Sequence, residues 1–375
     1  MKILVAGDFC DKNRVKSAIR EEKYALMFDG IKNVVHQADL SIANFEFPIA
    51  ENKAKPIPKW GPNLIGQRKA VDAIKYAGFN VCTLANNHIL DQGADCCMDT
   101  MRLLEKSGIR TVGVGRNLNE AERVLYIEGN EETIAIINCC ENEFSIATKT
   151  SPGSNPLNPV KQYYQITEAR QKANYVLVIV HGGHEFFQLP SPRMKEVYQY
   201  FITIGADAVI NHHQHCYSGY EIFNGKPIVY GLGNLLFDSN NMERTSWNEG
   251  YMVMLDTQER SLDFYPYIQS LKEPNVELMN ENDTETFYDR LERLNKIIAN
   301  DLELEEQVNN YYESNLISEI SVFEPYQGKI LGGLFAKGFL PRIIRGKKIL
   351  QIINHITCES HLDKLHYALL KIVKR

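Results

Sequence analysis

Short runs of apolar, β-branched residues alternate along the first two thirds of the chain with segments whose apolar residues recur every three or four positions. The runs predict strands buried on both faces, and the segments between them predict helices. The alternation indicates an α/β fold. The predicted strands cover residues 3–6, 40–43, 81–84, 111–114, 134–138, 176–180, 208–210 and 228–230.

The pattern changes after about residue 272, where helical spacing of apolar residues takes over and strand-like runs largely stop. Residues 349–356 and 362–373 have the pattern of two amphipathic helices. We therefore predict two parts: an α/β domain over residues 1–270 and a helical C-terminal extension over residues 271–375.

Polar clusters follow several of the predicted strands at the points where they end. The carboxyl ends of strands in an α/β fold lie at one edge of the sheet, so these clusters are expected to form one composite site. Five of the ten histidines lie in just two of them. Imidazole, carboxylate and amide oxygen together suit Zn, Mn or Fe, and bridging carboxylates allow two such ions. The clusters are Gly7-Asp8, Asn44-Phe45-Glu46, Asn86-Asn87-His88, the run from His181 to Glu185, and the run from Asn211 to His215.

Composition and charge narrow the classes of partner. The formal net charge of −6 gives no overall attraction to nucleic acid, so no nucleic-acid partner is expected. No apolar run is long enough to span a bilayer, and the N-terminus lacks the pattern of a secretion signal. Eight cysteines without a repeated metal-type spacing do not suggest a disulfide framework. We expect a cytoplasmic protein.

The charge is nevertheless uneven along the chain. Residues 329–375 contain ten Lys and Arg against Glu359 and Asp363, a net charge of +8. One interpretation is a basic helical cap packed on the α/β domain. The other is peripheral contact with an anionic membrane surface, on the inner face of the membrane, because apolar residues interleave with the basic ones.

The polar clusters lie within longer phrases that resemble a known family. These phrases resemble the bacterial capsule-synthesis CapA family (PGA_cap, poly-γ-glutamate capsule), a branch of the calcineurin-like metallophosphoesterase superfamily, over about residues 1–256. The phrases are NFEFP at 44–48, LANNHILDQG at 84–93, HGGHE at 181–185, GADAVINHHQH at 205–215, GYE at 219–221 and YGLGN at 230–234.

The resemblance implies a four-layer α/β/β/α sandwich with one or two divalent transition metal ions, Mn, Zn or Fe, at one edge. Asp8 and His215 would hold one ion, and Glu46 would bridge to a second. The second ion would be held by Asn87, His181 and His213. His88 would contact the phosphoryl group or protonate the leaving group, as a near-neutral imidazole is suited to do.

Asp91 has two interpretations that the sequence does not separate. It could orient the ring of His88, or it could cap a helix beginning near Gln92. Cys10 also has two interpretations, because it stands where the superfamily usually has a histidine. Its thiolate could bind a metal. Alternatively, it could be a buried thiol, which would leave the first metal position weakly held or empty.

Four further residues match the family phrases and are expected to support the site or contact substrate. Glu185 is expected to fix a ligand ring or to be a polar loop residue. Asn86, Glu221 and Asn234 lie at strand ends, where they are expected to hydrogen-bond the ligand loops.

The function implied is metal-dependent hydrolysis of a phosphomonoester or phosphodiester in capsule, exopolysaccharide or polyanion biosynthesis. The expected partner is a phosphorylated or polyanionic saccharide or polymer precursor. Glu46 stands where the superfamily usually has the shorter aspartate, which supports the CapA branch over an ordinary phosphatase. Two alternatives stay open. One is a non-catalytic, polymer-handling component of a capsule system, which Cys10 motivates, and the other is a metal-assisted hydrolase of amide or γ-glutamyl bonds, because the same Lewis-acid centre could polarise a carbonyl.

Overall fold

Two β-sheets form the centre of the computed structural model, which describes residues 1–50, 54–326 and 328–373. Their strands come mostly from short apolar runs of the kind that predict buried strands. The strands are β1 (Lys2–Phe9), β2 (Leu40–Phe45), β3 (Val81–Thr83), β4 (Arg110–Val112), β5 (Val114–Gly115), β6 (Leu125–Glu128), β7 (Thr133–Cys140), β8 (Gly153–Ser154), β9 (Tyr175–His181), β10 (Ala208–His212), β11 (Tyr220–Phe223), β12 (Lys226–Val229), β13 (Asn234–Leu236), β14 (Glu249–Asp256), β15 (Ser261–Gln269) and β16 (Val276–Leu278).

The first sheet has the order β16-β15-β14-β1-β2-β3-β4, with β13 also paired to β1. Its strands β1 to β4 run parallel, whereas β14 to β16 are antiparallel. The second sheet has the order β11-β12-β10-β9-β7-β6, and its four central strands are parallel. Strands β5 and β8 form a separate small pair.

Helices cover the outer faces of the two sheets and complete four layers. Along β1, Ile3 and Val5 belong to the apolar core that lies between the sheets, whereas Leu4 and Ala6 face the core under the helices of the first sheet. Helices α6 and α7 pack on the second sheet. The predicted α/β/β/α sandwich is confirmed. The helices of this part are α1 (Asn13–Arg20), α2 (Tyr24–Val35), α3 (Lys69–Ala77), α4 (Ala94–Lys106), α5 (Leu118–Ala121), α6 (Pro159–Lys172) and α7 (Pro192–Thr203).

The C-terminal part contains α8 (Glu281–Ala299), α9 (Asp301–Ser321), α10 (Gly328–Ala336), α11 (Lys347–Thr357) and α12 (Glu359–Val373), of which α11 and α12 correspond to the two predicted amphipathic helices. The chain divides into two compact units, Met1–Glu305 and Glu306–Arg375, so the boundary lies beyond the expected residue 270. Helix α8 belongs to the first unit because its Phe287 and Leu291 join the core between the sheets. Among the described residues, none of the helices combines the length and apolarity that crossing a bilayer requires.

One predicted strand, residues 111–114, is divided in two. Gly113 has φ +94°, and a Cβ there would lie 2.1 Å from Oδ1 of Asn138. The chain therefore turns at Gly113, and β4 ends there before β5 begins. The same Oδ1 accepts a hydrogen bond of 2.8 Å from the backbone N–H of Ala85, just before the Asn86-Asn87-His88 cluster.

Candidate metal centre

Asp8 lies near the end of β1, where three strands meet and the register of their pairing shifts. It pairs with Asn44 of β2 on one side and Asn234 of β13 on the other. The close approach of β13 requires a glycine before it, because a Cβ on Gly7 would lie 1.8 Å from the carbonyl oxygen of Gly233. The Asp8 carboxylate accepts hydrogen bonds from Nδ2 of Asn44 at 2.7 Å and from the backbone N–H of His213 at 3.1 Å.

The loop after β10 carries His213 and His215 in an unusual backbone conformation. Their φ angles are +91° and +55°, in a region that costs a non-glycine residue about 1–3 kcal/mol and that clusters at functional sites. Both polar atoms of the Asn234 side chain contact this loop. Its Oδ1 lies 2.9 Å from Nδ1 of His215, and its Nδ2 donates to the carbonyl of the same residue at 3.0 Å.

Glu46 lies at the centre of the cluster and is fully buried. Its Oε1 lies 3.6 Å from Nε2 of His181 and 3.9 Å from Nε2 of His215. Among the described residues, neither of its carboxylate oxygens has a hydrogen-bond partner. A buried ionised carboxylate in that state is costly unless a cation or donor compensates it.

Two groups of ligand atoms share Glu46. One group contains Asp8, Glu46 and His215, and the other contains Glu46, His181 and His213; within each group the ligand atoms lie within 4.8 Å of one another. Asn87 adjoins the second group, with its Oδ1 3.1 Å from Nε2 of His181. The structure thus brings together all six residues for which the family resemblance implies metal binding, in the implied division.

The electrostatics of the cluster fit a cation. Burial, reinforced by the charge of Asp8, raises the pKa of Glu46 well above its usual range. Burial, reinforced by the neighbouring ring of His213, lowers the pKa of His181, and burial also lowers the pKa of His215. Neutral imidazoles keep a lone pair for a metal, and a bound cation would compensate the buried carboxylates. The donor set therefore fits one or two divalent transition metal ions.

His88 and Asp91 form a buried unit beside this cluster. Nδ1 of His88 lies 2.6 Å from Oδ2 of Asp91, and the same carboxylate is paired with the ammonium of Lys59. Helix α4 begins later, at Ala94, and the residue at its N-terminal cap is Gly93, so Asp91 does not cap it. Of the two interpretations of Asp91, the geometry supports the one in which it orients His88.

The other expected supporting residues lie in different places. Asn86 connects the loops, since its Nδ2 donates to the carbonyl of Phe45 at 3.0 Å and its Oδ1 accepts from the backbone N–H of His88 at 3.1 Å. Glu185 is exposed, and only its charge acts on the site, where it raises the pKa of Glu46. Glu185 therefore fits the interpretation as a polar loop residue.

Cys10 is a buried thiol within the apolar core of the first sheet. Burial, reinforced by the charge of Glu46, raises the pKa of its thiol, which disfavours a thiolate. Within the described part of the chain, neither candidate metal group includes it. The interpretation of Cys10 as a core residue is the one that the geometry supports.

The expectation for Glu221 is wrong. Its carboxylate accepts hydrogen bonds from Nε2 of Gln199 at 2.9 Å and from the hydroxyl of Tyr230 at 2.5 Å, away from the ligand side chains. The reason is topological: Glu221 lies on β11, which is the edge strand of the second sheet, two strands away from β10. It helps to fix that edge.

Three polar residues of the site had no role predicted from the sequence, although Asn44 lies in one of the predicted clusters. Nδ2 of Asn44 lies 3.2 Å from Nδ1 of His181 and also donates a hydrogen bond to Asp8. Glu143 accepts from Nδ2 of Asn87 at 3.3 Å. Lys59, whose side chain is 2% exposed, accompanies Asp91. Asn44 and Glu143 carried a signal, because Asn44 precedes Glu46 at a strand end and Glu143 lies just after the end of β7, whereas Lys59 lies in a loop without one.

An aromatic cluster encloses His215. The ring centroid of Trp247 lies 4.9 Å from that of His215, and the centroid of Phe237 lies 5.1 Å away. Phe186 stacks on Trp247 with an interplanar angle of 24° and is 60% exposed. These rings exclude water from one side of the Asp8–Glu46–His215 group.

Comparisons with known proteins identify the family of the chain. A family model described as "Bacterial capsule synthesis protein PGA_cap" matches residues 2–239. The capsule biosynthesis protein CapA of Bacillus anthracis is 30% identical over 246 residues, covering 64% of this chain and 60% of that protein. The PGA biosynthesis protein CapA of Bacillus subtilis is 28% identical over 235 residues, covering 62% of each. The chain thus spans about three fifths of the length of these relatives.

Similarity to solved structures is looser. A structure titled as a novel phosphatase from Mycoplasma pneumoniae shares 14% sequence identity at a TM-score of 0.41, covering 78% of this chain and 98% of that one. The family model, by contrast, covers more than half of the chain and includes all six candidate ligands. The chain belongs to the bacterial capsule synthesis PGA_cap family.

Proposed function

We propose that this chain is a metal-dependent hydrolase of phosphomonoesters or phosphodiesters that acts in the biosynthesis of a capsule or a related polyanionic polymer. The observation that carries the proposal is the pair of ligand groups sharing Glu46, whose buried oxygens have no partner among the described residues. Membership of a capsule synthesis family supports the biological setting. The substrate class is a phosphorylated or polyanionic saccharide or polymer precursor.

The proposed roles follow from the two groups. Asp8 and His215 would hold one ion, His181, His213 and Asn87 the other, and Glu46 both. Such divalent ions, Mn, Zn or Fe, would supply Lewis acidity and a water of lowered pKa. The chain itself buries all six of these ligands away from bulk solvent.

His88 would transfer the proton to the leaving group. Its Nδ1 would donate to Asp91 and its Nε2 would carry the second proton of an imidazolium, which becomes a neutral imidazole when that proton passes to the leaving group. The ammonium of Lys59 balances the charge of the Asp91 carboxylate, and both groups lie next to Nδ1 of His88. Asp91 and Lys59 are therefore proposed as positioning residues, and His88 as the catalytic residue.

The test joins metal analysis to turnover. The purified full chain is assayed for bound transition metal by elemental analysis and for hydrolysis of phosphomonoesters and phosphodiesters. We expect Glu46→Gln to lose metal and turnover together, His88→Asn to keep metal and lose turnover, and the exposed-site control Glu131→Gln to keep both. Wild-type protein without transition metal, or full turnover in the His88 variant, would argue against the proposal.

The same samples separate the alternatives. One relative is described as a PGA biosynthesis protein, so γ-glutamyl oligomers form a second substrate panel. Cleavage of these oligomers without phosphoester turnover would identify an amide hydrolase. Bound metal without turnover on either panel would favour a polymer-handling role.

A further inference from the structure

The C-terminal unit, Glu306–Arg375, exposes an unusual amount of apolar surface. Helix α11 lies wholly within the described residues, and none of its side chains is buried. Its Leu350 is 66% exposed, and Ile349, Ile353 and Ile356 are exposed as well. Contiguous exposed apolar surface in a protein marks a site of interaction.

The apolar residues of α11 share one side of the helix. Positions 349, 352, 353 and 356 follow the three-to-four spacing of a single helical face, and Leu350 extends it. The opposite side carries Lys347, Lys348, Gln351, Asn354 and His355. Helix α11 is thus a short amphipathic helix whose apolar side is open.

Neighbouring segments of the unit continue this character. Exposed apolar residues also occur on α10, on α12 and in the non-helical stretch 337–346 between α10 and α11, where Phe339 is 72% exposed. We call this set the amphipathic surface. Its exposed apolar members are Ile330, Leu331, Leu334, Phe339, Ile343, Ile349, Leu350, Ile353, Ile356, Leu362, Leu369 and Ile372.

The charge around the amphipathic surface selects its occupant. Residues 329–375 carry a net charge of +8, of which Lys374 and Arg375 lie outside the described residues. A second copy that docked through the same surface would bring the same positive charge against it. An anionic lipid surface would instead attract it.

We propose that the amphipathic surface docks the protein on an anionic lipid surface, with α11 lying in the interfacial plane. Apolar residues such as Leu350 and Ile353 would enter the boundary between headgroups and acyl chains, and the lysines and arginines would contact the phosphates. The helix would lie on the membrane, since no helix of the described residues can cross it.

The test is co-sedimentation of the full chain with vesicles. We expect the protein to sediment with vesicles of phosphatidylglycerol and phosphatidylcholine in equal parts at low salt. It should stay in the supernatant with phosphatidylcholine alone, and high salt should weaken the binding. Absence of sedimentation with the anionic vesicles at low salt would overturn the proposal.

Matched variants separate the apolar face from the charge. The pair L350E/I353E changes the apolar side of α11, and the pair Q351E/N354E makes the same charge change on the polar side. We expect the first pair to lose vesicle binding and the second to keep most of it. Equal weakening by both pairs would overturn docking through the apolar face.

Two further outcomes are informative. If L350E/I353E loses helical circular dichroism, the pair F339S/I343S takes its place, because it lies outside a helix, and it should also weaken binding. Analytical ultracentrifugation without vesicles tests the other occupant. A stable dimer that L350E/I353E dissociates, in a protein that vesicles do not retain, would assign the surface to a second copy and overturn the proposal.

Discussion

His88 and Asp91 are hydrogen-bonded at 2.6 Å, three residues apart in a buried turn. The carboxylate also pairs with the ammonium of Lys59, whose side chain is as deeply buried. A positioned imidazole typically contributes a factor on the order of 100 to 10,000 to a rate through proton transfer. The pair therefore gives the most direct test of whether the centre is catalytic.

We predict that Asp91→Asn lowers phosphoester turnover by at least about 100-fold with metal content unchanged, since it disturbs the tautomer of His88 but no ligand. It should also lower the free energy of unfolding by about 3–5 kcal/mol, because Lys59 becomes a buried unpaired cation. The double variant K59M/D91N should lose less stability than Asp91→Asn alone. Asp95→Asn, an exposed neutralisation nearby, is the control, and its kinetics should match the wild type.

Asn44 contacts two ligands of different candidate ions. It donates to Asp8 at 2.7 Å, and its Nδ2 lies 3.2 Å from Nδ1 of His181. We predict that Asn44→Ala weakens metal binding by about 10- to 100-fold, as loss of a residue that orients metal ligands typically does. Competition with a chromophoric chelator measures the affinity.

Thr83→Val supplies the matched control for that measurement. The Thr83 hydroxyl donates to Oδ1 of Asn44 at 3.3 Å, so this variant removes a buried hydrogen bond of the same network without touching a ligand. It should lower the free energy of unfolding by about 1 kcal/mol and leave the metal affinity intact. Equal affinities for Asn44→Ala and Thr83→Val would contradict the orienting role of Asn44.

The layers of the fold could be predicted because parallel strands buried on both faces read as apolar runs. The antiparallel strands of the first sheet were harder to predict from the sequence. Strand β15 contains Pro266 and several half-exposed residues, and its pattern does not stand out, although the neighbouring β14 has an apolar run from Tyr251 to Leu255. The boundary of the first unit depends on tertiary packing of Phe287 and Leu291, which helical spacing alone does not specify.

The ligand cluster could be predicted because its members end strands, and strand ends of one layer meet at one edge. Lys59 lies far from any strand end, and its place depends on the path of a loop, which no local pattern records. Glu143 lies just after the end of β7, so its strand-end position carried a signal that was overlooked. Glu221 shows the opposite error, since it was expected near the ligand loops and lies away from them. It stands in a family phrase near a strand end, but its strand, β11, lies at the edge of the second sheet. The order of strands in a sheet is a property of the whole fold and cannot be predicted from a local phrase.

Asp11 provides a pH-dependent prediction outside the ligand set. It accepts hydrogen bonds from the backbone and the side chain of Gln67, but burial is the larger influence and raises its pKa from 3.8 to about 6. The folded chain thus keeps a proton that the unfolded chain releases between these values. The stability contributed by Asp11 is full below pH 3.8 and is lost as the pH rises to about 6.

We predict that Asp11→Asn removes this loss of stability. As the pH rises from 3.8 to about 6, the free energy of unfolding of the variant should increase relative to that of the wild type by up to about 3 kcal/mol. Urea unfolding near pH 3.8 and above pH 6 measures the difference. Asp72→Asn on the exposed side of α3 makes the same change in net charge and isolates the effect of burial. Parallel curves for Asp11→Asn and the wild type would refute the assignment.

Trp247 is placed to report on one metal position. The chain has two tryptophans, and Trp60 is 91% exposed, so Trp60→Phe leaves Trp247 as the reporter at little structural cost. The ring of Trp247 lies 4.9 Å from that of His215. A paramagnetic ion held by Asp8, Glu46 and His215 would lie close enough to quench its fluorescence.

We predict that cobalt(II) quenches Trp247 fluorescence in the Trp60→Phe protein, that diamagnetic zinc(II) quenches it much less, and that adding His215→Ala removes most of the cobalt effect. His213→Ala should retain more of the quenching than His215→Ala, because His213 belongs to the other ligand group. Quenching that is equal in the two histidine variants would place the ion elsewhere, and the proposed division of ligands around Glu46 would then fail.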